Sequence, residues 1–389
     1  MKKFHVLTTA LAAAAFLAGC GGNDAGDQSP NVAFTQMVNF GDSLSDVGTY
    51  DVGVVKLAGG GHYSINGVDA TGLLHTNWTE FLAATLQITQ PCAAETGLTP
   101  VAPFVQTVGD ETPTFHDAST GGTCLNYAQG GSRVIQPVGP GNAALLNPAV
   151  PSTYSNALGQ LTVPVVTQIN NYLLHNGGTF NSNQLVTVLA GGNDLFIDVA
   201  TFQAEVAGGE DATQAATEAV TAMATAGGQL AQLVNTEILA KGATHVVVVN
   251  IPDVSLTPFA IGAEATSPGA QALVKQMTQA FNQQLQAGLT AGSSLLYVDA
   301  FTASEDQATN PAQYGLTNVT TPACDLTKAS SSLVCTDATL IAALTPSTAG
   351  APATAANTYE YADTVHPTPY GYRLLSELVG EQLAIKGWL

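Results

Sequence analysis

His245 to Ile251 holds four consecutive valines, Val246 to Val249, and no polar residue interrupts the run before Asn250. A segment this apolar has no face to show to water. As a strand it must be covered on both sides, which points to a parallel sheet between layers of helix. Met37 to Phe40, stopped by Gly41, is a shorter and mostly apolar run. Leu185 to Ala190, stopped by Gly191-Gly192, and Leu295 to Val298 are two more, and Cys124 to Ala128 is a weaker fifth candidate. Helical patterns lie between them: Thr76 to Leu86, Val163 to Leu174, Ala212 to Ala240, Ala270 to Leu289 and Pro369 to Ile385. Gly227-Gly228 is expected to break or kink the third of these. Strands alternating with helices predict an α/β sandwich around a parallel sheet. Right-handed crossovers then bring the C-terminal ends of the strands to one edge, where sites form.

Two stretches stand outside this alternation. Pro91 to Ser155 and Thr302 to Tyr359 are rich in Gly, Pro, Thr and Ser, and read as long loops on one core rather than separate domains. Each holds two cysteines: Cys92 and Cys124 in the first, Cys324 and Cys335 in the second. An even number of cysteines in an exported chain suggests disulfides. Sequence proximity favours Cys92–Cys124 with Cys324–Cys335, and two other connectivities remain open. With no Cys-x-x-Cys pair, neither a zinc nor a redox site is expected.

The first residues read as a processing segment. Lys2 and Lys3 precede a largely apolar run from Leu7 to Leu17, too short to span a bilayer, which ends in Leu17-Ala18-Gly19-Cys20. That string resembles the bacterial lipoprotein box, which implies cleavage before Cys20 and its acylation. The expected plan is a signal peptide over 1–20, a polar, Gly-rich tether over 21–33 and one folded domain over 34–389. Acyl chains on Cys20 would tie the chain to a membrane without a spanning helix. The expected place is the bacterial cell envelope, its outer membrane included, or the medium after release. A net charge of −20, with only 9 Lys and Arg, repels phosphate backbones and excludes nucleic acid as a partner.

Chemistry concentrates in four short blocks. Phe40-Gly41-Asp42-Ser43-Leu44-Ser45-Asp46-Val47-Gly48 follows the first strand directly, so its serine can stand on the catalytic edge. Asn126-Tyr127-Ala128-Gln129-Gly130-Gly131, Gly191-Gly192-Asn193-Asp194 and Asp363-Thr364-Val365-His366-Pro367-Thr368 follow in that order. Together they resemble the four blocks of the GDSL (SGNH) serine hydrolases, over about residues 34 to 389. Thr76 to Phe81 and Asn250 to Asp253 resemble further segments of that family. The resemblance implies a three-layer α/β/α sandwich with a five-stranded, mainly parallel, flavodoxin-like sheet. It implies Ser43 as nucleophile, with His366 as base and Asp363 holding the imidazole. It implies an oxyanion hole from the Ser43 N–H, the Gly130 N–H and the Asn193 side chain; Gly131 competes for the second place, being adjacent. No metal or cofactor is implied. Val47-Gly48-Thr49-Tyr50 and Ser132 depart from common relatives, which bears on substrate preference rather than mechanism.

The substrate expected is a carboxylic ester: a lipid, a phospholipid or a small acyl ester. Acyl transfer, thioester cleavage and polysaccharide deacetylation are rivals at the same site, and a surface adhesin is the non-enzymatic rival. Asp42, Asp46 and Asp194 read as turn residues. Gly139-Pro140-Gly141-Asn142 mimics a dinucleotide fingerprint but lacks a strand before it. No Gly-x-Ser-x-Gly elbow, His-Glu-x-x-His or P-loop occurs. His62, His75, His116, His175 and His245 lack ligand-like spacing.

Overall fold

The computed structural model describes residues 32–67, 77–97, 114–137, 139–140, 162–344 and 358–389. The leader, Cys20, most of the tether, His75 and the fingerprint-like residues beyond Pro140 lie outside them. In chain order come β1 (Gln36–Gly41), α1 (Gly53–Leu57), α2 (Trp78–Thr85), β2 (Glu95–Thr96), β3 (Thr114–Phe115) and α3 (Val165–His175). There follow β4 (Gln184–Leu189), α4 (Gly192–Ala207), α5 (Ala212–Leu233), β5 (Val246–Val249), α6 (Pro258–Thr266) and α7 (Ala270–Gly288). The last are β6 (Leu295–Val298), α8 (Ala300–Thr309) and α9 (Pro369–Lys386).

The main sheet has the order β1-β4-β5-β6, and every pair in it is parallel, with Phe40 opposite Val188 and Val248 opposite Tyr297. Among the described residues it has four strands, not the five expected. The fifth place, on the free edge of β1, is taken by residues 124–129. These lie parallel to β1 through Asn39 N–H to Leu125 O (3.1 Å), Tyr127 N–H to Asn39 O (2.9 Å) and Gln129 N–H to Gly41 O (3.2 Å). Asn126 is the reason the segment stays irregular. Its Oδ1 accepts from Ala128 N–H and its Nδ2 donates to Ser45 O, so its side chain competes with a regular ladder. With this segment included, the spatial order is that of a flavodoxin-like sheet.

Strand residues alternate between two cores. Val38, Phe40, Val186, Val188, Val246 and Val248 face a cluster with Ile169, Tyr172, Met223, Leu230, Met277 and Phe281, from α3, α5 and α7. Met37, Leu185, Leu189, Val247, Val249 and Val298 face Trp78 and Leu82 of α2 and Tyr372, Val379 and Leu383 of α9. This is the three-layer sandwich, and burial on both faces is why the valine run carries no polar residue.

Two expectations need correction. α5 runs unbroken through Gly227-Gly228. Gly227 serves close packing instead: a Cβ there would stand 2.2 Å from Phe281 O, so the glycine lets α5 and α7 touch backbone to backbone. The irregularity comes later, as a π-helical turn at Val234–Ile238 and a 3-10 turn at Leu239–Lys241. The second long loop does not begin at Thr302, because α8 covers Ala300–Thr309 with Asp299 accepting from Thr302 N–H at its start. The disulfides join Cys92 to Cys124 and Cys324 to Cys335.

Candidate active site

The nucleophile block leaves β1 at Gly41, whose φ is +154°. A Cβ there would meet Leu189 O at 2.1 Å, so only glycine lets the chain turn against β4. Gln168 of α3 clamps the turn: its Oε1 accepts from Gly41 N–H at 2.9 Å and its Nε2 donates to Gly41 O at 2.8 Å. Asp42 N–H bonds Leu189 O, and Asp42 Oδ1 accepts from Leu44 N–H. Asp46 ties down the far end, accepting from Gly48, Thr49 and Gly130 N–H. Ser43 is thereby presented at the C-terminal edge of the sheet, with 8% of its surface exposed.

His366 Nε2 lies 2.8 Å from Ser43 Oγ, although 323 residues separate them in sequence. Its Nδ1 faces Asp363, at 2.8 Å from Oδ2 and 3.0 Å from Oδ1. Asp363 is buried and densely hydrogen-bonded, accepting from Val365 N–H, His366 N–H and Ser332 N–H. Burial pushes its carboxyl up, but the attraction of His366 and these donors outweigh it and hold the group well below the usual carboxylate range. The aspartate therefore stays ionised and fixes which imidazole nitrogen carries the proton. Tyr63 packs on the His366 ring, 4.9 Å between centroids.

Ser332 escaped the sequence reading. It sits in the loop closed by Cys324–Cys335, which Asn66 gathers by donating from Nδ2 to Ser332 O and Cys335 O. Gln168 escaped too, though a signal existed. It is 1% exposed and shares the buried face of α3 with Val165, Ile169 and Tyr172. A glutamine on an apolar face must find polar partners inside.

One of the expected oxyanion donors is already engaged within the protein. Gly130 N–H already donates to Asp46 Oδ2 at 2.8 Å and has no proton to spare. Its lack of a Cβ serves Tyr63 instead, since a Cβ would stand 2.1 Å from the tyrosine hydroxyl oxygen. Among the described residues the N–H groups of Ser43 and Gly131 make no hydrogen bond. Asn193, in the first turn of α4, lines the cleft and spends one amide proton on Ser132 O at 2.9 Å. That bond ties Ser132, the residue after Gly131, to the start of α4. Ser43 N–H, Gly131 N–H and the second Asn193 amide proton are thus left unengaged among the described residues. Asp194 takes no part, being engaged by Arg133 Nε and Val134 N–H.

The cleft in front of Ser43 encloses about 880 Å³, the open space at its mouth included. Phe196, Ile251, Val254, Leu375 and Leu378 make its walls largely apolar. Asp42 and Glu360 are the carboxylates lining it, and no Lys or Arg does so among the described residues. Burial pushes Asp42 up to about 7, against the donors Leu44 N–H and Gly192 N–H and the charge of His366. His62 lies apart from the chemistry, with its Nε2 3.1 Å from Val47 O, and His175 pairs with Asp117. The described acidic group of Glu205, Glu210 and Glu218 stands on α4, at its end and on α5, outside the cleft lining.

A serine, an imidazole and a carboxylate in series, beside unengaged N–H donors at a sheet edge, define a serine hydrolase site. The sequence profile of the GDSL-like Lipase/Acylhydrolase family matches residues 37–379, and the chain belongs to that family. It is thus an acyl hydrolase in the broad sense. No curated protein matches the chain.

Proposed function

We propose that the protein hydrolyses uncharged carboxylic esters through an acyl-enzyme on Ser43, without a cofactor. The observation that carries this reading is the 2.8 Å approach of His366 Nε2 to Ser43 Oγ, with ionised Asp363 behind the ring. His366 takes the hydroxyl proton as Ser43 Oγ attacks the ester carbonyl. The carbonyl oxygen gains negative charge, which Ser43 N–H, Gly131 N–H and Asn193 Nδ2 stabilise. The tetrahedral species collapses, the C–O bond to the alcohol breaks, and His366 returns the proton to the departing oxygen. Water then enters, His366 takes a proton from it as its oxygen attacks the acyl carbonyl, and the C–O bond to Ser43 breaks as His366 returns the proton to Oγ and the acid leaves. The apolar walls suit an acyl chain, and the two carboxylates disfavour an anionic substrate.

Cys20 completes the proposal as an acylated anchor that holds the domain at the cell envelope through the tether. Loss of membrane partition in Cys20→Ser tests this part alone. For the chemistry, the test is a panel of nitrophenyl and glycerol esters with a fluorophosphonate probe, on wild type and Ser43→Ala. Turnover and labelling in the wild type alone are expected. A wild type inert towards every ester overturns the proposal.

A further inference from the structure

Glu360 belongs to the cleft wall but has no part in the chemistry above. Its backbone is fixed on the hairpin that carries His366: Glu360 N–H donates to Asn318 O at 2.9 Å, and Glu360 O accepts from Thr368 N–H at 2.8 Å. Gly371, in the first turn of α9, leaves room for its side chain. A Cβ at that position would stand 2.9 Å from Glu360 Oε1. Glu360 Oε2 is shielded from water and has no hydrogen-bond partner, and Oε1, beside Gly371 of the cleft lining, makes no hydrogen bond among the described residues either. A buried polar oxygen without a partner is costly in an otherwise apolar wall, and such groups are rare unless something outside the chain satisfies them. The lining offers no Lys or Arg to do so.

We propose that Glu360 is a specificity residue, which through Oε1, the carboxyl oxygen beside Gly371 of the cleft lining, hydrogen-bonds a free hydroxyl of the substrate and selects hydroxyl-bearing esters, such as partial esters of a polyol, over plain alkyl esters. This rests on the ester hydrolase reading and narrows its substrate class. Burial pushes the Glu360 carboxyl up to about 7, so near neutral pH it exists in both forms. A hydroxyl suits either form, because it donates to the carboxylate and accepts from the acid. An ammonium group would suit only the ionised one. Sites built to bond a substrate hydroxyl discriminate strongly against analogues that lack it, since the protein's own group is then left unpaired.

The test compares glycerol monobutyrate with butyl butyrate, and ethyl 3-hydroxybutyrate with ethyl butyrate, on wild type, Glu360→Gln and Glu360→Leu. Each pair differs mainly in the presence of hydroxyls, the first on the alcohol side and the second on the acyl side. The ratio of kcat/KM within a pair does not depend on the fraction of active protein, so partial misfolding of a variant cannot imitate the effect. In one pair the wild type should favour the hydroxyl ester, and Glu360→Leu should reduce that ratio about tenfold. Glu360→Gln keeps an acceptor and a donor, and should lose less. Ratios unchanged in both pairs overturn the assignment while leaving the hydrolase reading intact. A preference lost for butyrylcholine rather than for either hydroxyl ester overturns it in favour of a cation. A wild type inert on all these esters removes both readings together.

Discussion

Ser43 leaves a strand that is buried on both faces and hydrogen-bonded to β4, whereas His366 rides a hairpin in which no regular strand or helix lies between Thr309 and Pro369 among the described residues, only 3-10 turns. The nucleophile is placed by sheet register, a glycine only the turn can hold, and one glutamine clamp. The base and its aspartate are placed by backbone donors from a loop, with a disulfide and Asn66 holding that loop together. Sheet and hairpin reach the same precision at the hydroxyl–imidazole contact by different routes. The sheet spreads the constraint over two cores, while the hairpin concentrates it in a few hydrogen bonds. The hairpin side should therefore be the easier of the two to loosen without unfolding the domain.

The largest effect tests the contact itself. Ser43→Ala should lower kcat by about 10⁵-fold or more, with little change in Tm, because the only side-chain bond Ser43 Oγ makes among the described residues is to His366. Next, Asp363→Asn should lower kcat about 10⁴-fold through the wrong tautomer. It should also change the acid limb of stability. Since the folded carboxyl lies below its ordinary value, its stabilisation is complete above the unfolded pKa and is lost as pH falls towards the folded one. The Asn variant should show a shallower loss of Tm on acidification, and an identical acid limb would break the link between the hairpin and this charge.

Asn193→Ala should lower kcat by about 10² to 10³ with KM nearly unchanged, if its amide serves only the transition state. Opening each disulfide by paired Cys→Ser changes compares the two sides directly. Either should cost about 3 kcal/mol in chemical denaturation. Loss of Cys324–Cys335 should also reduce kcat, by releasing Ser332 N–H from Asp363. Equal kcat losses for the two pairs would erase the contrast. The smallest effect is expected from Asp42→Asn. Burial raises the Asp42 carboxyl to about 7, so its contribution is present below the unfolded value and lost as pH rises through the folded one. Wild-type Tm should therefore decline from mildly acidic to neutral pH more than the variant's does.

Much of this was legible in residue order. Strand positions, the buried valine run, α7 and α9 follow from local apolar pattern, which a sheet between helices imposes directly. α6 was not read from the sequence, although Thr257 caps it and Pro258 opens it, because the pattern around it is too evenly apolar to give a period. The Gly227 contact with Phe281 was not legible, because a glycine needed for a turn and one needed for close packing look alike in sequence. Gly130 shows the same limit: adjacent glycines gave no means of telling which N–H was already engaged by Asp46.

The resemblance of the four blocks to the GDSL hydrolases implied which serine, histidine and aspartate belong together, and only the turn from Asp363 to His366 is local enough for spacing to encode. Tertiary structure alone decided what surrounds them: Ser332 on the aspartate, Gln168 on the turn, the Gly130 N–H engaged by Asp46, and Glu360 in the wall without a partner. Those contacts join segments far apart in the chain. They depend on how the layers pack, and no short-range pattern carries that information.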